Sequence, residues 1–218
     1  SCSSPFWHGE NTGLKSYRLT IFDNLPRTGL PAEFQSYAEY QRHIQILINA
    51  GVMEDSTKIW WDLRPSAKYP TLETRIMDVC TLMDDAISLA ALLVSTIRML
   101  YRLSLKNQRW RDYSPMLIRE NRWRAMRYSF DEGLIDFGIG SVVPFEQLLD
   151  EFIDLTFEDA KSLGCESEVA ATKNILSRGT SAHRQLKTYK LSIDAGQNHE
   201  DALKDVVDML ISETAEGL

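Results

Sequence analysis

Two neighbouring stretches, Lys58-Ile59-Trp60-Trp61-Asp62-Leu63-Arg64 and Thr71-Leu72-Glu73-Thr74-Arg75-Ile76-Met77-Asp78, decide how this chain is read. Both are rich in β-branched, aromatic and aliphatic residues, and Pro65, Ser66 and Pro70 break the chain between them. That pattern predicts a β-hairpin with strands over 58–64 and 71–78 joined by a longish loop. Side chains alternate along a strand, so Asp62 and Arg64 share one face of the first strand, and Glu73 and Arg75 one face of the second. Pairing 64 with 71 puts all four on the same side. The other side carries Ile59, Trp61, Leu63, Leu72 and Ile76, a face suited to a core. Four charges of mixed sign backed by a core are either a pair of solvated cross-strand salt bridges or a site.

Upstream of the hairpin the first fifth of the chain is loop-rich, punctuated by Gly9, Gly13, Pro26, Gly29 and Pro31. Apolar residues at Phe34, Tyr37, Ala38, Ile44, Leu47 and Ile48 predict a helix over Glu33 to Asn49, with Gly51 placed to end it. Downstream the pattern is helical. Asp84 or Asp85 is positioned to cap an apolar helix to about Leu105, and a second helix spans roughly Pro115 to Arg127. After a turn over 131–140, Pro144 opens a helix that Gly164 closes. Helices over Glu166 to Arg178, Ser181 to Ala195 and His199 to Thr214 follow, the first two ended by Gly179 and Gly196. The expected fold class is α+β: a mostly antiparallel sheet, then a C-terminal antiparallel helical bundle. The expected division is 1–140 for the sheet-bearing part and 141–218 for the bundle.

A chain of 218 residues, 44% hydrophobic and 25% charged, has the composition of a globular protein with a real core. Its formal net charge of −7 disfavours nucleic acid as a partner, because binding a phosphate backbone needs a basic surface. The one basic and aromatic stretch, Arg98 to Arg127 with Trp110, Tyr113 and Trp123 interleaved, is read as helix surface rather than a strand-binding platform. The three cysteines, Cys2, Cys80 and Cys165, are widely spaced without a CxxC pattern, which points to a reducing cytoplasm. His8, His43, His183 and His199 lack partners at metal-ligand spacing and are read as surface or cap residues. The longest apolar run, Ala86 to Ile97, is short for a bilayer, so no membrane role is expected. Met77, Met83 and Met99 fit core filling. Glu146, Asp150, Glu151, Asp154, Glu158 and Asp159 read as a solvated helix face. The opening Ser1-Cys2-Ser3-Ser4-Pro5 reads as the end of a strand entering a loop, so the start is expected to be a cut or cleaved one.

Taken together, Trp61-Asp62-Leu63-Arg64-Pro65-Ser66, Leu72-Glu73-Thr74-Arg75-Ile76-Met77-Asp78 and Asn121-Arg122-Trp123-Arg124-Ala125-Met126-Arg127-Tyr128 resemble the carboxylate–amine ligase family. The type-2 glutamate–cysteine ligases are its named activity. Ser4-Pro5-Phe6-Trp7, Gly13, Ser16-Tyr17-Arg18 and Arg27-Thr28-Gly29 resemble its substrate-side loops, so the likeness covers essentially the whole chain. It implies a glutamine-synthetase-like fold, ATP and Mg²⁺ as cofactors, and amino acids as the small-molecule substrates, with glutamate the carboxylate and cysteine the amine. Such a ligase phosphorylates the carboxylate with ATP before the amine displaces phosphate. Arg64 and Arg75 would then meet the transferring phosphate with planar, permanently charged forks, and Glu73 would offer a hard oxygen to the metal. Arg18 and Arg27, with Ser4 and Trp7, would grip the amino-acid substrate. Asn121, Arg122 and Arg127 would hold the nucleotide end of the site or pin their helix to the sheet.

The family carries further metal-binding carboxylates on strands that would precede Ser1. The resemblance therefore implies a C-terminal half, inactive and weak in nucleotide binding alone, that associates with the missing half or with further copies. Position 129 is Ser where the family pattern leads to Gly. A non-catalytic chain needing a partner is the rival reading. A guanidine kinase, of the same broad fold, is argued against by the Trp61-to-Arg64 hairpin and the loop at Ser4 to Trp7.

Overall fold

A computed structural model describes residues 1–216. In chain order the elements are β1 (Phe6–Trp7), β2 (Glu10–Asn11), α1 (Tyr17–Asp23), β3 (Thr28–Gly29), α2 (Tyr37–Asn49), β4 (Trp60–Trp61), β5 (Leu63–Pro65), β6 (Leu72–Thr74) and α3 (Met83–Leu105). They continue with α4 (Pro115–Tyr128), β7 (Leu134–Asp136), β8 (Ser141–Val143), α5 (Phe145–Leu163), α6 (Glu166–Ala171), α7 (Lys173–Arg178), α8 (Ser181–Asp194) and α9 (His199–Ala215). The fold is α+β, as expected, and its strands are mostly antiparallel but form small two-stranded ladders: β1–β2, β5–β6 and β7–β8 antiparallel, β3–β4 parallel. Strands of two or three residues offer too few backbone groups to recruit further neighbours. Pro65 at the end of β5 also removes a donor.

The chain divides into two compact units, residues 18–78 and residues 1–17 with 79–218. The boundary expected at 140 is not where it divides, because α3 packs against α5 and α6 and carries the chain across that point.

In the smaller unit, α2 begins at Tyr37 rather than Glu33 because the Ser36 hydroxyl accepts the Glu39 N–H at 3.1 Å and caps the helix there. Tyr40 and Ile44 bury against Met53 and Ile59, with Phe34, Leu47, Ile48 and Trp61 around them. The predicted strand 58–64 starts late because Ser56–Lys58 forms a 3₁₀ turn, capped by the Asp55 carboxylate accepting the Thr57 N–H at 2.7 Å. The Asp62 backbone links the two ladders of this unit: its N–H donates to Gly29 O at 2.7 Å and its carbonyl accepts from Arg75 N at 2.8 Å.

In the larger unit the core sits where α3, α5 and α6 meet on small residues, Ala91, Ala160 and Val169. Ser95 and Thr156 are wholly buried there, and Thr156 is satisfied by donating to Phe152 O at 2.8 Å. Asp84 and Asp85 lie in the first turn of α3 but do not cap it; Leu82 holds that position without a side-chain bond, and Asp85 is drawn instead to Arg178. At 23 residues α3 is long and apolar enough to cross a bilayer, more than the run from Ala86 to Ile97 implied, yet here it lies along α5 and α6. Met99 is buried as expected, whereas Met83 is half exposed. The helix predicted over 166–178 breaks at Thr172, whose hydroxyl donates to Val169 O at 2.6 Å and bends the chain. The segment 131–140, read as a turn, opens into the β7–β8 hairpin. Gly133 is required there: at φ +66° its hydrogen faces Val143 O, and a Cβ would come within 2.1 Å of that oxygen.

Candidate functional site

The hairpin forms with Arg64 paired to Glu73, Leu63 to Thr74 and Pro65 to Leu72. This is two residues from the expected pairing of 64 with 71, and an even shift leaves the faces unchanged. The loop sets the register. Ser66 N donates to Thr71 O at 2.9 Å and Thr71 N to Tyr69 O at 2.8 Å, so the turn closes over fewer residues than foreseen. The apolar backing is partial: Ile59 is 1% exposed, but Leu63 and Leu72 are 39% and 51% exposed.

Arg64, Glu73 and Arg75 meet on one side. Glu73 Oε2 accepts from Arg64 Nε at 3.1 Å and Nη2 at 2.9 Å, and its Oε1 accepts from Arg75 Nη1. The Arg64 bond, against the opposing effect of burial and with help from Arg75, holds the Glu73 carboxyl below its ordinary pKa. Glu73 is thus an anion clamped between two guanidiniums. Both of its oxygens are engaged, and a divalent cation would have to approach two positive charges to reach them. Among the described residues no three His, Cys, Asp or Glu side chains gather as metal ligands. The residues present here do not by themselves supply the several oxygens that Mg²⁺ wants in an octahedron, and Glu73, the expected metal ligand, is held in this structure between Arg64 and Arg75.

The two arginines differ. Arg64 is only 11% exposed and spends its remaining Nη1 on the carbonyls of Thr57 at 2.8 Å, Ser56 at 3.4 Å and Ile59. Every nitrogen is committed, so it positions the hairpin rather than reaching for a phosphate. Arg75 gives Nη1 to Glu73, while its Nε is buried without a hydrogen-bond partner. An unsatisfied guanidinium nitrogen is a standing invitation to an acceptor.

Arg18, on α1, donates from Nη2 to Arg75 O at 2.9 Å, lies 3.6 Å from the buried Asp78 carboxylate and stacks over Phe22 at 4.6 Å. It holds the end of the hairpin from below. Arg27 adopts φ +62° and donates from Nε to Lys58 O at 3.0 Å, bracing the entry to β4.

The other expected site residues belong to the larger unit. Ser4 pairs by its backbone with Ser16, and its carbonyl accepts from Tyr17 N at 2.9 Å. Trp7 lies 5.3 Å from the Tyr17 ring and is 45% exposed. On α4, Asn121 gives and takes a 2.8 Å hydrogen bond with the backbone of Ile135, which sews the helix to β7. In this structure Asn121 pins α4 to β7. Arg122 is half-buried on the same helix, and Arg127 lies over Tyr128 at 5.4 Å.

Two charge clusters went unread in the sequence. Asp159, taken as part of a solvated face, is 2% exposed and held by Arg102 at 2.7 Å with Arg98 at 3.7 Å. Its place in the inward series Leu149, Phe152, Thr156 was the available signal. Glu213 bridges Arg184 Nη2 at 2.9 Å and the Thr81 hydroxyl at 2.5 Å, while Arg184 and Arg178 flank Asp85.

The glutamate-cysteine ligase family 2 profile matches residues 1–209. The chain belongs to that family. Its relatives include proteins named "Putative glutamate--cysteine ligase 2" from Rhodospirillum rubrum, 57% identical over 97% of this chain and 54% of the relative, and from Jannaschia sp., 55% identical over 98% and 56%. A third, from Chloroflexus aggregans, is 43% identical over 100% of this chain and 54% of its own length. The chain therefore spans about half the length of the curated relatives it matches. Family membership agrees with the order of motifs from Ser4 through Tyr128 that suggested it.

Proposed function

We propose that these residues form part of an ATP-dependent carboxylate–amine ligase that joins glutamate to cysteine through an acyl phosphate. A glutamate carboxylate oxygen attacks the γ-phosphorus and ADP leaves. The cysteine nitrogen then attacks the acyl carbon, phosphate departs with the bonding electrons, and the amine gives up a proton. Charge spreads over the phosphoryl oxygens in the first step, and a fixed guanidinium is worth most there. Arg75 is the group assigned to it.

The observation that carries this reading is the asymmetry of the hairpin. Arg64 is consumed in holding Glu73 and the turn before β4, Glu73 holds Arg75 Nη1, and Arg75 Nε is left without a partner. Such a chain of contacts orients one guanidinium rigidly while keeping donors in reserve, as a preorganised anion site requires. Arg18 fits as a support beneath Arg75 rather than as a substrate clamp. A cytoplasmic setting accords with three free cysteines.

The test is glutamate-dependent phosphate release from ATP, with and without cysteine, by the protein of full family length carrying this sequence. Absence of glutamate-stimulated release would sink the proposal. The 218 residues alone are expected to turn nothing over, and activity then depends on association with residues beyond them or with further copies.

A further inference from the structure

One side of α3 is packed and the other is open. Ala91 and Ser95 are buried where α5 and α6 meet the helix. On the opposite side Met83, Ile87, Val94, Tyr101 and Leu105 each keep between 47% and 68% of their surface exposed. Single apolar residues on a surface are ordinary, but five in one line along a 23-residue helix form a continuous apolar seam. Steps of seven and eleven residues return to the same face of a helix to within about 20°. Ile87 and Tyr101 lie seven residues either side of Val94, and Met83 and Leu105 lie eleven. The seam therefore reads the same from both ends.

A surface with that symmetry complements itself when turned end for end. We propose that α3 pairs with α3 of a second copy of this chain, antiparallel, about a two-fold axis at Val94. Val94 then meets Val94 of the other copy, Ile87 meets Tyr101, and Met83 meets Leu105. The charges agree with this occupant. The side chains of Asp84 and Lys106 make no hydrogen bond or ion pair among the described residues, and they stand at opposite ends of the seam on the same flank. Within one helix they are about 33 Å apart; the two-fold axis brings each Asp84 beside Lys106 of the other copy. Arg98, the one charge beside the middle of the seam, leans on Asp159 at 3.7 Å and comes opposite Ala90, which leaves its stem room. A bilayer or a sheet would ask for a broad apolar face, whereas Asp84, Arg98 and Arg102 line one flank of this narrow one. The helix is about 35 Å long and about 10–12 Å across, so its outward half offers roughly 600 Å² per copy, the lower edge of a specific interface. Reversible pairing at micromolar concentration is expected. It is independent of the ligase reading.

Val94→Cys tests the axis. Antiparallel helices about 8–10 Å apart put the two Val94 Cα atoms within disulfide reach, so mild oxidation should give a covalent dimer. Ile87→Cys and Tyr101→Cys, each alone, stand about 21 Å from their own counterparts and should not link, yet should link when mixed. The parent chain, with Cys2, Cys80 and Cys165, is the control. In sedimentation Val94→Asp, which sets two carboxylates against each other, should weaken the dimer at least roughly tenfold. Asp84→Lys should weaken it too, and adding Lys106→Asp should restore it. Unchanged far-UV circular dichroism shows that the variants fold. A monomeric parent, a dimer in which Val94→Cys does not link, or a dimer indifferent to Val94→Asp overturns the proposal. Linking that is lost in the protein of full family length also overturns it and gives the face to the rest of that protein. Binding to phosphatidylcholine vesicles without linking overturns it in favour of lipid.

Discussion

Replacing Arg64 with Ala should unfold the smaller unit well before it affects anything else. The side chain is 11% exposed and caps the carbonyls of Thr57 and Ile59, the latter in a residue only 1% exposed. Each buried acceptor left without a donor costs about 1–3 kcal/mol. Glu73 is 39% exposed and keeps Arg75, so losing its bonds to Arg64 adds only about 0–1 kcal/mol. The sum, about 2–7 kcal/mol, is a large part of the ~5–15 kcal/mol that holds a domain together. Arg75→Ala removes one bond from a side chain 27% exposed and should cost less than about 1 kcal/mol. Arg64→Lys should recover only part of the loss, since an ammonium cannot span the carboxylate and the carbonyls as the fork does. Urea unfolding followed by tryptophan fluorescence reads this directly, because Trp60 and Trp61 lie in the smaller unit. An Arg64→Ala chain within about 1 kcal/mol of the parent, or an Arg75→Ala chain equally destabilised, would refute the division of labour between the two arginines.

In a full-length ligase, Arg75→Ala should lower kcat by at least roughly tenfold with little change in KM, whereas Arg18→Ala, acting through the Arg75 carbonyl, should lower it less; the reverse order in steady-state kinetics would place the substrate contact on Arg18. Ser129 ends α4 at φ 57° and ψ −113°, a conformation glycine adopts freely, so Ser129→Gly should raise stability by about 1 kcal/mol in thermal unfolding, and a loss would show the serine is not strained. His183 accepts the Thr180 N–H at Nδ1 (3.1 Å) and donates from Nε2 to Asp131 (2.9 Å), an arrangement that needs the neutral ring. Burial, then Lys15, outweigh Asp131 and depress its pKa, so the unfolded chain binds the extra proton first: the stability contributed by neutral His183 is present above about pH 6.5 and is lost as pH falls through that value toward the folded pKa. His183→Gln should flatten that limb of a stability–pH curve, and an unaltered limb would assign it to other groups.

Local chemistry written along the chain determined the hairpin, its charged face and most helices. Alternation put Arg64, Glu73 and Arg75 on one side, and because strand periodicity is two, even the misjudged register preserved that result. Glycines at 164, 179 and 196 marked helix ends for the same reason: only the backbone and its own side chain are involved. Family membership was legible because several motifs kept their order over the whole length.

Tertiary structure decided what each charge does. Whether Glu73 faces a metal or two guanidiniums, whether Arg64 is free or consumed by the carbonyls of residues 56 to 59, and whether Asp159 faces water or Arg102 depends on neighbours brought in from elsewhere in the chain. A charge declares its role by what it meets in space, and periodicity along the chain records only which way it points.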